Sequence, residues 1–145
     1  MRGVASSSAA QALASAWVAM RRQGMLIGAH TVSHPILAKL GRAEARQELR
    51  TSKSRLEALL GESVQLFAYP NGKPDDDYDI GTVGLVKEAG FEAAMSTAWG
   101  HADAGTDPYQ VPRFTPWDRT RVRFALRMWG NLRVKPACAA APAGA

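Results

Sequence analysis

The segment Met25-Leu-Ile-Gly-Ala-His-Thr-Val-Ser-His-Pro35 decides how the rest of the sequence is interpreted. Its first five residues form a short apolar run, which predicts a buried strand. His30 and His34 follow that strand directly, and Pro35 suits the first turn of a helix. A strand that ends in polar residues and leads into a helix is typical of α/β proteins, which carry their chemistry at the carboxyl ends of strands.

The same alternation of strand and helix continues along the chain, which predicts an α/β fold with a mainly parallel sheet. On the last helix, Val122, Ala125, Leu126 and Trp129 share one face, and this spacing predicts that Trp129 belongs to the core. Helices are predicted over 11–23, 35–40, 42–60, 79–89 and 119–132, and strands over 25–29, 64–68, 91–96 and 109–114.

Composition limits the class of protein. A chain of 145 residues with 46% hydrophobic content can bury a core, and its single cysteine, Cys138, excludes a disulfide framework. No apolar run is long enough for a membrane span, and Ser and Gln interrupt the start of the chain, which favours an amphipathic helix over a signal peptide. We expect a poorly ordered N-terminus over 1–10, one domain over 11–133 and a disordered Ala/Pro tail over 134–145.

The positive charge is concentrated near the C-terminus. The net charge is +5, and the stretch from Arg113 to Lys135 holds seven basic residues and one acidic residue, which leaves the rest of the chain close to neutral. Charge alone suggests nucleic-acid binding by this stretch. Its arginines do not all share one helix face, however, so a solvated helix face is the favoured interpretation and no nucleic-acid partner is predicted.

His30 and His34 are candidate metal ligands, because imidazole binds zinc and similar ions and a short loop can bring two rings together. The pair is not the helical H-E-x-x-H site, since Pro35 interrupts a helix and no glutamate lies between the histidines. Thr31 and Ser33 could orient the rings by hydrogen bonds, or one of them could cap the next helix. The alternative for the histidines is a purely structural role.

Residues Ile27 to Pro35, followed by Leu37-Ala38, resemble the metal-binding motif of the polysaccharide deacetylases, the carbohydrate esterase family 4 enzymes with a NodB homology domain. The resemblance covers roughly residues 13–129 and implies a distorted (β/α) barrel, here a partial one. It continues through Glu48-Leu49, Ser52-Lys53, Phe67-Ala-Tyr-Pro-Asn-Gly72, Ala89-Gly-Phe-Glu-Ala-Ala94 and Asp107-Pro-Tyr-Gln-Val-Pro-Arg-Phe114.

The resemblance implies removal of acetyl groups from an N-acetylated polysaccharide or oligosaccharide, with a divalent metal as cofactor and zinc as the preferred candidate. By motif, His30 and His34 become metal ligands. Tyr69 and Asn71 lie in the loop that helps to hold the oxyanion in the family, and Arg113 and Trp117 lie where the family lines its groove. For Trp117 and Asp118, a core tryptophan beside a helix-capping aspartate is the alternative.

Parts of the family pattern are missing from this sequence. The Thr-Phe-Asp-Asp-Gly motif, which supplies the general base and the third metal ligand, does not occur before His30, and no Leu-x-His motif provides a catalytic acid. His101 and the acidic run Asp75–Asp77 are weak substitutes, since solvated loops are the commoner explanation. The catalytic residues therefore stay unassigned, as do the oligomeric state and the compartment.

We expect this chain to be a truncated deacetylase domain that is weakly active or inactive on its own, because two histidines without a carboxylate make a poor metal site. The alternative is a non-catalytic remnant of the same domain that binds carbohydrate or another partner in the same groove.

Overall fold

A computed structural model describes residues 4–115 and 117–140 of the chain. Three parallel strands, Gly28–Ala29, Leu66–Ala68 and Ala93–Met95, pair side by side in chain order, and helices connect them. The parallel pairing is the one that the sequence pattern predicts. Within the described ranges, no helix is both long and apolar enough to cross a membrane. The elements are α1 (Val4–Arg22), β1 (Gly28–Ala29), α2 (Arg42–Leu60), β2 (Leu66–Ala68), α3 (Ile80–Glu88), β3 (Ala93–Met95) and α4 (Arg121–Asn131), with 3₁₀ turns at Leu37–Lys39 and Pro108–Gln110.

The core lies between the sheet and the helices that connect its strands. Ala29 is the register partner of Phe67, which in turn pairs with Ala94, and all three side chains are buried. Each large apolar side chain removed from water contributes about 1.5–3 kcal/mol. The buried cluster also includes Leu49 from α2, Val83, Leu85 and Val86 from α3, and Val64, Tyr78 and Phe91 from the connecting segments.

The two central helices begin and end at the residues that the sequence indicates. Gly61 ends α2 in the left-handed region, with φ 70°, and donates its N–H to the carbonyl of Glu57 at 2.8 Å. Asp79 caps α3, because its carboxylate accepts the N–H of Thr82 at 2.7 Å. These caps fix the lengths of the helices and so the direction in which each next strand enters the sheet.

The strands are shorter than predicted. The prediction of a buried strand over 25–29 is wrong for residues 25–27: β1 begins at Gly28, and Met25 and Leu26 are exposed. The predicted strand over 109–114 is reduced to one bridge between Val111 and Met95. The two prolines in 108–112 explain this, since proline has no N–H to donate to a sheet.

Near both ends of the described chain, residues outside the predicted domain over 11–133 take part in its structure. The Ala-rich α1 begins at Val4, ahead of the predicted start at Gln11, which is consistent with the high helix propensity of alanine. Near the C-terminus, Ala139 is buried and donates its N–H to Oε1 of Gln110 at 2.7 Å. Ala139 therefore contacts the domain, and residues 141–145 lie outside the described ranges.

The apolar face predicted for the last helix is not buried. Trp129 is 57% exposed, so its assignment to the core is wrong. Polar contacts set the rotation of α4: the side-chain amide of Asn131 pairs with the backbone of Gly100 at 2.9 and 2.7 Å, and Arg127 forms an ion pair with Asp118 at 2.6 Å. Because these residues hold one side of the helix against the domain, the opposite side faces outward.

Two glycine substitutions are expected to change stability in opposite directions. Gly61→Ala places a Cβ at a positive φ and should lower the free energy of unfolding by about 1 kcal/mol. Gly84→Ala lies inside α3, where a Cβ meets nothing within 4 Å, and should raise it by about 0.5–1 kcal/mol. Urea unfolding of the two variants beside the parent chain measures both, and stabilisation by Gly61→Ala would contradict the left-handed cap.

Candidate metal and substrate site

The pairing of β1 with β2 places the ring of His30 against the end of the neighbouring strand. His30 is the first residue after β1, and its Nδ1 lies 2.7 Å from the carbonyl oxygen of Ala68. A carbonyl oxygen only accepts, so Nδ1 carries the proton and donates it. The lone pair of Nε2 is then available, and this is the tautomer that a metal ligand needs.

A tightly folded loop brings His34 back to His30. The two ring centroids lie 4.9 Å apart with an angle of 73° between the ring planes. Thr31 and His34 both adopt positive φ, 61° and 58°, which is uncommon for residues with a side chain. The Thr31 hydroxyl braces this turn, since it donates to the His30 carbonyl at 2.6 Å and accepts the His34 N–H at 3.1 Å.

Glu48 of α2 holds the middle of the same loop. Its Oε2 accepts the N–H groups of Val32 and Ser33 at 2.7 and 3.1 Å, and its Oε1 accepts the Ser33 hydroxyl at 2.7 Å. Partial burial opposes ionisation of Glu48, but these hydrogen bonds outweigh it and lower the pKa of the carboxyl group. The carboxylate therefore fixes the histidine loop to the helix beneath it.

Glu48 was not among the site residues predicted from the sequence, although its position carries a signal. It lies three residues after Ala45 and four before Ser52, both of which are buried, so the helical period places it on the packed face of α2. A carboxylate on a packed face needs hydrogen-bond donors. By contrast, neither hydroxyl in the loop orients a ring as predicted; the Ala68 carbonyl does so for His30, and a backbone group leaves no sequence signal.

The loop after β2 divides its residues between the core and the surface. Tyr69 is buried and stacks on Tyr78 at 3.9 Å, and its hydroxyl donates to the Tyr109 carbonyl at 2.9 Å. Burial raises the pKa of Tyr69, and its N–H is donated to Met95 at 3.1 Å. Both of its donors are thus engaged within the protein. Asn71, at φ 56°, is exposed at the tip of the loop.

The loops after β2 and β3 are joined at the same edge of the sheet. Thr97 donates its N–H to the carbonyl of Gly72 at 2.8 Å, and a Cβ on Gly72 would lie 3.0 Å from the Thr97 nitrogen, so only glycine allows this approach. Arg113 follows, held by its N–H to the Ala98 carbonyl at 3.2 Å, with its side chain exposed. The residues predicted on strand ends therefore belong to adjacent loops.

Trp117 lies on the surface of the protein. It is 80% exposed, so the alternative of a core tryptophan is wrong. Asp118 does not cap α4; its carboxylate is paired with Arg127, and the Thr120 side chain accepts the N–H of Arg123 at 3.4 Å instead.

Within the part of the chain that the structure describes, the two histidines have no third metal ligand beside them. Among residues 4–115 and 117–140, no group of three His, Cys, Asp or Glu side chains is placed to hold a metal ion. In the acidic loop, the Asp77 carboxylate accepts the N–H of Lys73 at 2.9 Å, while Asp76 pairs with the Lys73 ammonium group. These carboxylates stabilise their own turn. The two histidines thus fit two positions of a metal site whose usual minimum is three protein ligands.

A cavity opens directly beside His30. Its volume is about 500 Å³, and it lies between α1, β1 and α2. No sequence motif indicates this cavity, because its walls come from segments that are far apart in the chain. Apolar side chains and one arginine line most of it: Trp17, Met20, Leu26, Ile27, Leu56 and Arg55.

A comparison with the sequence profiles of protein families agrees with the interpretation of the histidine loop and of the fold around it. The sequence profile of the polysaccharide deacetylases matches residues 5–94, which is more than half of the chain. This chain belongs to the polysaccharide deacetylase family. The match includes β1, the histidine loop, Glu48 and β2, so the family's shared sequence runs through the elements that build the site.

Solved structures show the same relationship. The Streptococcus pyogenes deacetylase PplD, solved in complex with acetate, is 25% identical with a TM-score of 0.65, over 70% of this chain and 43% of that one. BA0330 of Bacillus anthracis is 27% identical with a TM-score of 0.64, over 79% of this chain and 35% of that one. This deacetylase-family chain therefore spans less than half the length of either structure. No curated protein matches it.

Removing the Glu48 charge is expected to loosen the histidine loop of this family member. Glu48→Gln keeps the shape but replaces one acceptor oxygen with an amide, and should lower the free energy of unfolding at neutral pH by about 1 kcal/mol. Glu44→Gln, on an exposed position of the same helix, is the matched control and should change it by less than about 0.5 kcal/mol.

The effect of Glu48→Gln should also depend on pH. Because the pKa of Glu48 is lowered in the folded state, its stabilisation is fully present above the ordinary value of 4.5 and is lost as pH falls through the folded pKa. Unfolding curves measured across this range should therefore converge for Glu48→Gln and the parent chain at low pH. A difference that stays constant down to the lowest pH would contradict an ionised anchor.

Proposed function

We propose that this chain takes part in metal-dependent hydrolysis of the acetamide C–N bond of N-acetylated polysaccharides or oligosaccharides, with His30 and His34 as metal ligands. The observation that carries the proposal is the hydrogen bond from His30 Nδ1 to the Ala68 carbonyl, with the His34 ring 4.9 Å away. It leaves Nε2 of His30 free to coordinate, and both rings follow a strand of a parallel sheet, where α/β enzymes place their chemistry.

A divalent metal, with zinc as the preferred candidate, would act as a Lewis acid on the acetyl carbonyl and on the attacking water. The chain itself would hold the two imidazoles in position. Ala68 fixes the tautomer of one ring, and Glu48 together with Thr31 fixes the turn that brings the second ring close. Because the described residues bring two ligands together and a zinc site needs at least three, we propose weak metal binding and weak or absent turnover for the chain alone.

The sugar chain would contact the surface residues of the neighbouring loops. Asn71 and Arg113 offer exposed hydrogen-bonding groups for sugar hydroxyls, and Trp117 offers an exposed ring on which a sugar face can stack. Tyr69 would support these loops from within the core without contacting the sugar, since its hydroxyl, N–H and ring are all engaged within the protein. The acetate in the structure of the related Streptococcus pyogenes deacetylase supports an acetyl group as the group removed.

We also propose that the three parallel strands form part of a distorted (β/α) barrel. Their order follows the chain, helices connect them, and the deacetylase structures with TM-scores of 0.65 and 0.64 support an arrangement of this type.

A second function is favoured by one observation, the exposed ring of Trp117, since the described residues do not assemble three metal ligands. In this alternative, the chain binds carbohydrate without hydrolysing it. Stacking on the ring would then give affinity that does not depend on metal.

Zinc titration tests the ligand assignment. By calorimetry, the parent chain should bind one zinc ion weakly, and His30→Ala combined with His34→Ala should abolish that binding because both imidazoles are removed. His101→Ala is the matched control: it removes a histidine from another loop and should leave the affinity unchanged. Undiminished binding by the double variant would remove His30 and His34 from the site.

Hydrolysis of acetylated glucosamine oligomers tests the reaction. Acetate release by the zinc-loaded chain should be weak or absent, because no carboxylate in the described ranges completes a three-ligand metal site with the histidines. Strong turnover that His30→Ala abolishes would contradict the proposed weakness while supporting the ligand. Saturable oligomer binding that persists with a chelator and falls in Trp117→Ala would instead favour the non-catalytic alternative.

A further inference from the structure

The outward face of α4 is its most apolar face. Successive residues of a helix are rotated by about 100°, which places Val122, Leu126 and Trp129 within one narrow sector. Arg127 and Asn131 point the other way and hold the helix against the domain. In the structure Val122 is 70%, Leu126 60% and Trp129 57% exposed. We call these three side chains the apolar sector of α4.

Positive charge surrounds the apolar sector. At about 100° per residue, Arg121 lies on one side of it and Arg123 on the other, and both are exposed. The Arg133 guanidinium lies 3.6 Å from the centroid of the Trp129 ring, so a cation also covers its C-terminal end. The sequence contains no acidic residue after Asp118, whose own charge is already paired with Arg127. The surface therefore has an apolar centre and a cationic border.

The apolar centre and cationic border of this surface together favour one class of binding partner over the others. A nucleic acid would use the arginines but gains little from valine and leucine at the centre of the contact. A second copy of this chain would bring two cationic borders together, and like charges at an interface oppose binding. An anionic phospholipid surface uses both features, because its phosphates attract arginine and its acyl boundary accepts Val, Leu and Trp.

We propose that α4 binds the surface of an anionic phospholipid bilayer, with the apolar sector in the boundary between headgroups and acyl chains. Arg121, Arg123 and Arg133 would contact the phosphates around it. The helix would lie in the plane of the membrane and not cross it, since eleven residues reach only about 16 Å. This binding is separate from the histidine site. It would hold the domain close to the surface of a membrane.

Vesicle sedimentation tests the proposal with the full chain. The probes are vesicles of phosphatidylcholine alone and of phosphatidylcholine with about one third phosphatidylglycerol. Binding is expected with the anionic vesicles, and it should weaken as salt is raised. Leu126→Asp should reduce it about tenfold or more, and Arg121→Gln with Arg123→Gln about twentyfold. Both changes lie on exposed positions, and circular dichroism checks that the variants stay folded.

Matched controls distinguish binding by this surface from nonspecific binding. Leu26→Asp replaces another exposed leucine that lies outside α4, and Arg50→Gln removes an exposed arginine from α2; both variants should bind like the parent chain. Loss of binding in the arginine variants without loss in Leu126→Asp would overturn the proposal in favour of a general polyanion site. Binding to DNA that is as strong as binding to the anionic vesicles, and that Leu126→Asp does not weaken, would also overturn the proposal. If the chain sediments without vesicles and Leu126→Asp abolishes this sedimentation, the occupant of the surface is a second copy of the chain. Absence of binding to both kinds of vesicle would also overturn the proposal.

Discussion

The contact between the ring of His30 and the carbonyl oxygen of Ala68 links the fold of this protein to its site. It exists because β1 and β2 are parallel neighbours in register, so the first residue after β1 meets the last residue of β2. The same contact selects the ring tautomer. A shift of the register by one residue would remove the carbonyl from Nδ1 and turn the side chains of β1 to the other face of the sheet. The buried partners Ala29, Phe67 and Ala94 hold that register in place.

The histidine loop stores strain that its surroundings offset. Two residues with side chains, Thr31 and His34, occupy the left-handed region, at about 1–2 kcal/mol each. Hydrogen bonds to a charged acceptor contribute about 1.5–3 kcal/mol, and the Glu48 carboxylate accepts several within this loop. The loop is therefore stable only on top of α2. The geometry of the loop therefore depends on Glu48, a residue that is distant in sequence from the two histidines.

The last helix shows the opposite balance between polar and apolar groups. Hydrophobic burial alone would turn Val122, Leu126 and Trp129 toward the domain. The side-chain amide of Asn131 instead satisfies both backbone groups of Gly100, and the Asp118–Arg127 pair is partly buried. Burying those polar groups without partners would cost free energy, and the observed rotation of α4 avoids that cost. The outward face of α4 is the consequence.

Elements with local signals could be predicted from the amino-acid sequence alone. The helix α2 runs from Arg42 to Leu60 as its period and its terminal glycine predict, Asp79 caps α3, and the parallel pairing of the strands follows from the alternation of strand and helix patterns. The two histidines and their family were also readable, because the motif is contiguous. The partners that those residues meet became visible only in the folded chain: the Ala68 carbonyl, the Glu48 carboxylate, the core position of Tyr69 and the outward face of α4. These depend on contacts between segments tens of residues apart, and a period or a turn signal describes only neighbours along the chain.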